Sequence, residues 1–454
     1  MTESSVGHTR GTQRSRSVST KQARIAELAR SQPKMVFTAL NAFLDFEWML
    51  EAYARTRKDG ATGVDGQTAQ DYETDLVENL HDLLTRLKSG RYRAPPVRRQ
   101  YIPKGDGTRR PLGIPTFEDK IAQRAVTMVL EPIYEQDFME FSFGFRPGRS
   151  AHQALRFLRN QIMDRGGRWI LDVDLSKYFD TIDHHHLRGF LDHRVKDGVI
   201  RKLIDKWLKA GVLEDGQLRR ATSGTPQGGV VSPLLANVYL HYVLDQWFTE
   251  AVLPRMKRRC TLVRYADDFV LVFEDFLDST RVFEVLPKRL ARFGLAVNWT
   301  KTKRVDFRFK RPNNQRHRLT QASIFDFLGF THVWGRSRKG KHIILQITAK
   351  SRFARSVKAV HQWCRDHRHQ RLADQHRTLS RKLTGHYVYY GITGNSRRLK
   401  WMHYKVEQCW FYWLRRRSRG FKGLRLTFEQ LREQYPLPLP KIYHRYATSS
   451  EPVS

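Results

Sequence analysis

An α+β fold is what the sequence predicts, from three observations. Helical and extended segments follow one another without the regular rhythm of a doubly wound sheet. Short apolar strand arms surround Asp-containing turns, as in "TLVRYADDFVLVF". From about residue 350 the chain changes character, with 20 Lys and Arg against 3 acidic residues over 350–425, interleaved with Trp and Tyr.

The elements follow in order. Residues 1–35 are rich in Ser, Thr and Arg and lack the apolar stretch of a secretory signal, so they read as a basic, disordered arm. Leu76, Leu80, Leu83, Leu84 and Leu87 recur at helical spacing, and Gly and Pro in "KSGRYRAPP" end that helix. "VRRQYIPKGDGTRRPLGIP" reads as two strands joined at Asp-Gly. "FEDKIAQRAVTMVLEPIYEQDF" and "AHQALRFLRNQIMDRG" are helices separated by the turn-rich "SFGFRPGRS". "RWILDVD" is a strand that breaks into a turn and helix, and "TSGTPQGG" is a Gly-rich loop feeding a long helix. Strands resume over 262–273, at "FDFLGF" and at "HIILQI".

Composition narrows the partners. With 81 Lys and Arg against 45 Asp and Glu, the formal net charge of +36 favours a polyanion, nucleic acid first. Charges interrupt every apolar run before about 18 residues, so no membrane partner is expected. Cys260, Cys364 and Cys409 form no CxxC pair, which argues against a disulfide framework or zinc module and for a cytosolic chain.

Adjacent carboxylates Asp267 and Asp268 interrupt an apolar strand run. Neighbouring strand residues face opposite sides, so the two can share a site only at a hairpin tip. Close carboxylates repel, which raises one pKa unless a cation neutralises them. Mg²⁺ accepts such hard oxygens, and two ions can serve both ends of an in-line displacement. "LDVDLSKYFDTIDH" offers Asp172, Asp174, Asp180 and Asp183 as a third ligand; Asp174, where strand gives way to turn, is the choice. The alternative is that these Asp residues are helix caps and turn formers. For the run of three histidines in "DHHHL" a surface or RNA-facing role is expected rather than a metal site.

These blocks carry a resemblance. "YADD", "LDVDLSKYFDTIDH", "TPQGGVVSPLLANVYL" and "FDFLGF" resemble the ordered blocks of a reverse transcriptase. "ATGVDG", "RRPLGIPTFEDKIAQRAV", "SFGFRPGRSAHQAL" and "YYGITGN" are similar to the bacterial group II intron-encoded reverse transcriptase/maturase family. Together they span about 36–440. The resemblance implies a right-hand polymerase, with fingers and palm built on a mixed/antiparallel palm sheet, followed by an α-helical thumb/maturase domain. It divides the chain into the arm 1–35, N-terminal extension and fingers 36–165, palm 166–340 with some fingers elements inserted, thumb/maturase 345–435 and tail 436–454.

It implies that Asp174, Asp267 and Asp268 bind two Mg²⁺ ions and that Phe179 is the steric gate under the incoming sugar. Gln227 and Gly228, with Lys104, Arg109, Arg110 and Lys301, are expected to contact the dNTP. Which of the two arginines reaches the triphosphate stays open. Arg397, Arg398, Lys400, Arg415, Arg416 and Arg417 are expected to bind RNA. The implied partners are group II intron RNA, an RNA template with DNA primer, dNTPs and target DNA, in a bacterial, nucleoid-associated setting. Many members of the family that it resembles append a DNA-binding segment and a Cys/His-rich HNH nuclease; with no paired cysteines before Ser454, second-strand cleavage is not expected. The expected activity is RNA-directed DNA synthesis with assistance to splicing and retrohoming. Alternatives are a splicing cofactor with vestigial polymerase activity and a domesticated reverse transcriptase in defence or repair.

Overall fold

The computed structural model describes residues 4–103, 109–214, 217–219, 224–225, 228–309, 324–337, 339–417 and 427–446, with side chains from residue 17 onward except Arg165. In chain order the elements are α1 (Ser4–Ser31), α2 (Phe46–Arg55), α3 (Ala69–Glu73), α4 (Leu76–Lys88), β1 (Val97–Pro103), β2 (Arg109–Ile114), α5 (Phe117–Asp137) and α6 (Ala151–Arg165). Next come β3 (Trp169–Asp174), α7 (Tyr178–Thr181), α8 (His184–Asp192), α9 (Gly198–Lys209), β4 (Val212–Glu214), β5 (Gln217–Arg219) and α10 (Ser232–Leu240). Then follow β6 (Cys260–Tyr265), β7 (Asp268–Phe273), α11 (Phe276–Ala291), β8 (Lys303–Asp306), β9 (Phe325–Phe327), β10 (Phe330–Arg336) and β11 (His342–Thr348). The last are α12 (Lys350–Asp366), α13 (Leu372–Tyr390), α14 (Ser396–Leu414) and α15 (Phe428–Gln434). The mixture is α+β, as the sequence predicts. Among the described residues no helix is long and apolar enough to cross a membrane.

Three sheets organise the strands, in the orders β2-β1-β4-β5, β6-β7-β3-β8 and β11-β10-β9. The expected hairpin around "KGDGT" has its arms in β1 and β2, antiparallel with Pro103 opposite Arg109; its turn lies outside the described residues. β3 pairs antiparallel with β8, Asp172 opposite Lys303 and Trp169 opposite Asp306. "FDFLGF" is not one strand but the bend of a hairpin. Leu328 and Gly329 both have positive φ (48° and 80°), so the chain reverses between Phe327 and Phe330.

The chain forms two compact units. The first comprises Met1–Ser150, Val173–Phe269 and Leu277–Thr302. Its core centres on the apolar α5, where Ile121, Ala125, Val129 and Ile133 are all buried, as their spacing predicts. α1 and α2 pack on α5. This corrects the expected disordered arm over 1–35. Val18, Ile25 and Ala29 form an apolar stripe that the surrounding Ser, Lys and Arg mask in composition, and all three are buried. Arg194, buried beyond the helix end, donates to the carbonyls of Ala29, Gln32, Pro33 and Met35 and pairs with Asp137 at 2.9 Å.

The second unit comprises Ala151–Asp172, Val270–Phe276 and Lys303–Ser454. Its helical end is held by α12, α13 and α14, which enclose Cys364, Leu383, Tyr387, Leu399, Val406, Trp410 and Leu414. Tyr387 and Trp410 therefore serve the core, while Trp401, Tyr404 and Tyr412 remain exposed.

Candidate active site

The two adjacent carboxylates stand at a hairpin tip between β6 and β7. Ala266 reverses the chain with φ 58°, a conformation disfavoured for any residue with a Cβ. A buried ion pair holds that bend. Arg264, wholly buried, bonds Asp245 at 2.5 and 2.9 Å, Asn237 Oδ1 at 2.8 Å and the Ala266 carbonyl at 3.1 Å. Such a pair is tolerable inside a protein only when nearly every donor and acceptor is used, which is the case here. Asp245 reaches it from a wide π-helical turn, His241–Asp245, that follows α10. On the other side Phe143 N donates to Arg264 O and Arg264 N to Phe141 O, both at 2.9 Å. Asn237 Nδ2 donates to the Gly144 carbonyl at 2.6 Å. A Cβ on Gly144 would lie 2.3 Å from Ala266 N, so only glycine lets this segment touch the tip.

β3 delivers Asp174. β3 lies beside β7 in its sheet, and at its start Arg168 N donates to Phe273 O at 2.8 Å. The charge of Asp174 is felt at Asp267. Burial raises the pKa of Asp267, the nearby Asp174 raises it further, and Arg110 and Lys301 oppose the rise. Asp174 itself is framed by the strand-to-turn segment around Asn298. Its carbonyl accepts from Asn298 N at 2.8 Å, while its Oδ2 accepts from Asn298 Nδ2 at 2.9 Å and Lys301 Nζ at 3.2 Å. Its own N donates to Thr302 Oγ1 at 3.3 Å.

Among the described residues no group of three His, Cys, Asp or Glu side chains stands at metal-holding spacing. The donor chemistry nevertheless fits a hard divalent cation, because two carboxylates brought together repel unless positive charge stands between them, a role that Lys301 and Arg110 fill in part.

Phe179 lies in α7, one short turn beyond Asp174. Lys177 enters that turn with φ 47°. The Phe179 ring is half-buried and meets Tyr178 edge-on at 5.4 Å, and Tyr178 OH donates to the Ala236 carbonyl at 2.6 Å. The Gly-rich loop rests on this turn: Thr225 N donates to Phe179 O at 2.8 Å, and a Cβ on Gly224 would lie 2.9 Å from the carbonyls of Phe179 and Asp180. Asp183 caps α8 through His186 N at 2.9 Å, in keeping with the capping alternative. His184 is buried with Nε2 2.6 Å from Gly224 O, which corrects its expected surface role; the adjacent His185 is exposed.

Gln227 and Lys104 lie outside the described residues. Gly228 has φ 121°, and a Cβ there would lie 2.5 Å from Gly113 O of β2. Arg109 and Arg110 are exposed neighbours on β2, so their side chains face opposite sides; Arg110 is the one whose charge reaches Asp267. Lys301 is drawn to Asp174.

The six basic residues expected to bind RNA fall into two clusters. Arg397, Arg398 and Lys400 open α14 and Arg415, Arg416 and Arg417 follow its end, about 27 Å apart at 1.5 Å per residue. Arg416 lies 3.6 Å over the Tyr412 ring and Arg398 5.6 Å over Phe353. Arg417 is tied down, donating to the carbonyls of Arg368 at 2.5 Å and Gln370 at 2.6 Å. Arg397, Lys400, Arg415 and Arg416 are exposed.

Sequence reasoning missed Arg264, Asp245, Asn237, Gly144 and Asn298. Only Arg264 carried a signal, as a charge within an apolar strand.

Comparison with known proteins adds an independent line. The family model described as reverse transcriptase (RNA-dependent DNA polymerase) matches residues 102–332. Protein YkfC of Escherichia coli is 38% identical over 287 residues, covering 56% of this chain and 75% of that protein. The group II intron-encoded protein LtrA of Lactococcus lactis is 42% identical over 223 residues, 48% of this chain and 36% of that one. Nuclear intron maturase 2, mitochondrial, of Arabidopsis thaliana is 37% identical over 176 residues, 30% and 24% of the two chains. The chain thus spans three quarters of the first relative but about a third or less of the other two.

Proposed function

This chain belongs to the reverse transcriptase family, of the group II intron type, and on that premise we propose that it is an RNA-directed DNA polymerase that also binds its intron RNA to assist splicing and retrohoming. The observation that carries the reading is the convergence of Asp174, Asp267, Arg110 and Lys301 on one electrostatic neighbourhood.

The reaction joins a primer 3′-hydroxyl to the α-phosphorus of a dNTP, with pyrophosphate leaving. Catalysis of this kind rests on positioning and charge. Asp174, Asp267 and Asp268 would hold two Mg²⁺ ions, which when bound neutralise the phosphates and favour the primer alkoxide. Arg110, with Arg109 beside it on β2 and with Lys104, grips the triphosphate. Lys301, now paired with Asp174, has phosphate as its alternative partner. Phe179 bears on the sugar and excludes a 2′-hydroxyl, and Gln227 and Gly228 line the nucleotide. The buried Arg264–Asp245 pair keeps the two tip carboxylates rigid. Intron RNA is bound by Arg397, Arg398, Lys400, Arg415 and Arg416, with Arg417 bracing the end of α14; exposed Trp401, Tyr404 and Tyr412 offer stacking faces to unpaired bases.

Primer extension on an RNA template tests the reading. Asp267→Ala/Asp268→Ala should abolish cDNA synthesis while RNA affinity stays close to that of the parent chain. A double variant that still extends primers would overturn it.

A further inference from the structure

Asp119 has no part in the chemistry above, yet its carboxylate is wholly buried and fully engaged. Oδ1 accepts from Tyr92 OH and, at 2.7 Å, from Trp207 Nε1; Oδ2 accepts from Gln123 Nε2 at 3.0 Å. One turn along α5, Gln123 turns its other end outward: Val231 N donates to Gln123 Oε1 at 3.2 Å. Val231 is the residue from which α10 starts, and it follows closely on Gly228, which touches Gly113 of β2.

A side-chain amide has a donor end and an acceptor end of nearly the same shape, and something must choose between them. Asp119 makes that choice. As a carboxylate it can only accept, so it draws the Gln123 amino group and leaves the carbonyl to face Val231. The segment Gly228–Val231 thus lies close against β2, the strand that bears Arg110, at one end and is bonded to α5 at the other.

We propose that Asp119 and Gln123 are a positioning pair that locks Gly228–Val231 against β2 and so sets the affinity for the incoming nucleoside triphosphate. The proposal rests on the polymerase reading for its ligand, and for its geometry on the hydrogen bonds of Asp119 and Gln123 together with the close approach of Gly228 to Gly113.

Three variants test it. Asp119→Asn keeps the shape and still accepts from Tyr92 and Trp207 through Oδ1, but offers an amino group to Gln123. The Gln123 amide then turns over, and two donors meet at Val231. Gln123→Ala removes the acceptor outright. The exchange variant Asp119→Asn/Gln123→Glu restores the pattern at the same formal charge, because the carboxylate introduced on α5 accepts from the introduced amide with one oxygen and from Val231 N with the other.

In steady-state primer extension the two single variants should raise KM for dNTP about tenfold, as expected for a buried amide left without its acceptor. Their kcat should stay within about twofold, and the exchange variant should recover KM to within about twofold. Melting temperatures should remain close to that of the parent chain. Hydrogen exchange at the peptide containing Val231 should accelerate in both single variants and slow again in the exchange variant. Unchanged KM, a fall in kcat and melting temperature in step with KM, or no recovery in the exchange variant overturns the proposal. Should the parent chain add no nucleotide at all, the polymerase reading fails; exchange at Val231 then still decides the pair, and unaltered protection in the single variants sinks it.

Discussion

Phe179 illustrates how much one residue's role depends on backbone around it. Its carbonyl carries the start of the Gly-rich loop, and its half-buried ring stands one turn from Asp174. Phe179→Ala should therefore keep the loop, whose bond is to the main chain, and increase ribonucleotide incorporation, measured by extension with mixed dNTP and rNTP pools. Unaltered sugar selection would remove the gate assignment. Arg264 behaves in the opposite way. Arg264→Ala leaves Asp245 buried without its partner, a loss expected to cost about 3–5 kcal/mol and readable as a lower denaturant midpoint. The metal-ligand candidates stood out in the sequence because paired Asp in an apolar run demands both a turn and a counter-charge. Arg264 showed itself only as a charge inside an apolar strand; its role could not be read, since its partners Asn237 and Asp245 lie outside that strand and only the fold brings them near.

At the scale of elements, the β10–β11 pair contains a built-in acid sensitivity. His332 is wholly buried, stacked 4.5 Å from Phe325 with Nε2 2.9 Å from Gln346 Nε2, and burial lowers its pKa from 6.5 to about 3. The unfolded chain takes up a proton below pH 6.5 that the folded chain refuses until about 3, so the contribution is present above 6.5 and lost as pH falls. Stability should drop by up to about 1.4 kcal/mol per pH unit from this group across that window. Thermal melts of the parent chain and His332→Gln between pH 7 and 4 check this; equal slopes would contradict it. The β9–β10 hairpin shows why an element escapes sequence reading. Its turn puts Leu328 in the left-handed region, against the preference for Gly, Asn or Asp there, and the single Gly329 beside it was too weak a signal to mark a turn within an apolar run. α1 escaped for a different reason: a narrow apolar stripe within a basic, Ser-rich stretch resembles a disordered arm until α5 is seen to cover it.

For the whole molecule, charge is the property legible without any fold. A net charge of +36 predicts that affinity for structured RNA falls steeply with salt, since each neutralised phosphate releases counterions. Filter binding from 50 to 300 mM KCl should give a clearly negative log–log slope; a flat response would mean that the surface charge does not face RNA. The α+β class was equally legible, because it needs only the order of helix and strand patterns.

One pairing sets a timetable for synthesis. β8 is the edge partner of β3, yet more than a hundred residues separate them in the chain. On the ribosome, where folding proceeds from the N-terminus, Asp174 must wait beside an incomplete sheet until Lys303–Asp306 has emerged. A nascent fragment that already encodes Asp174, Asp267 and Asp268 still lacks the strand that pairs with β3, so the sheet is completed late in translation rather than with the last of these aspartates.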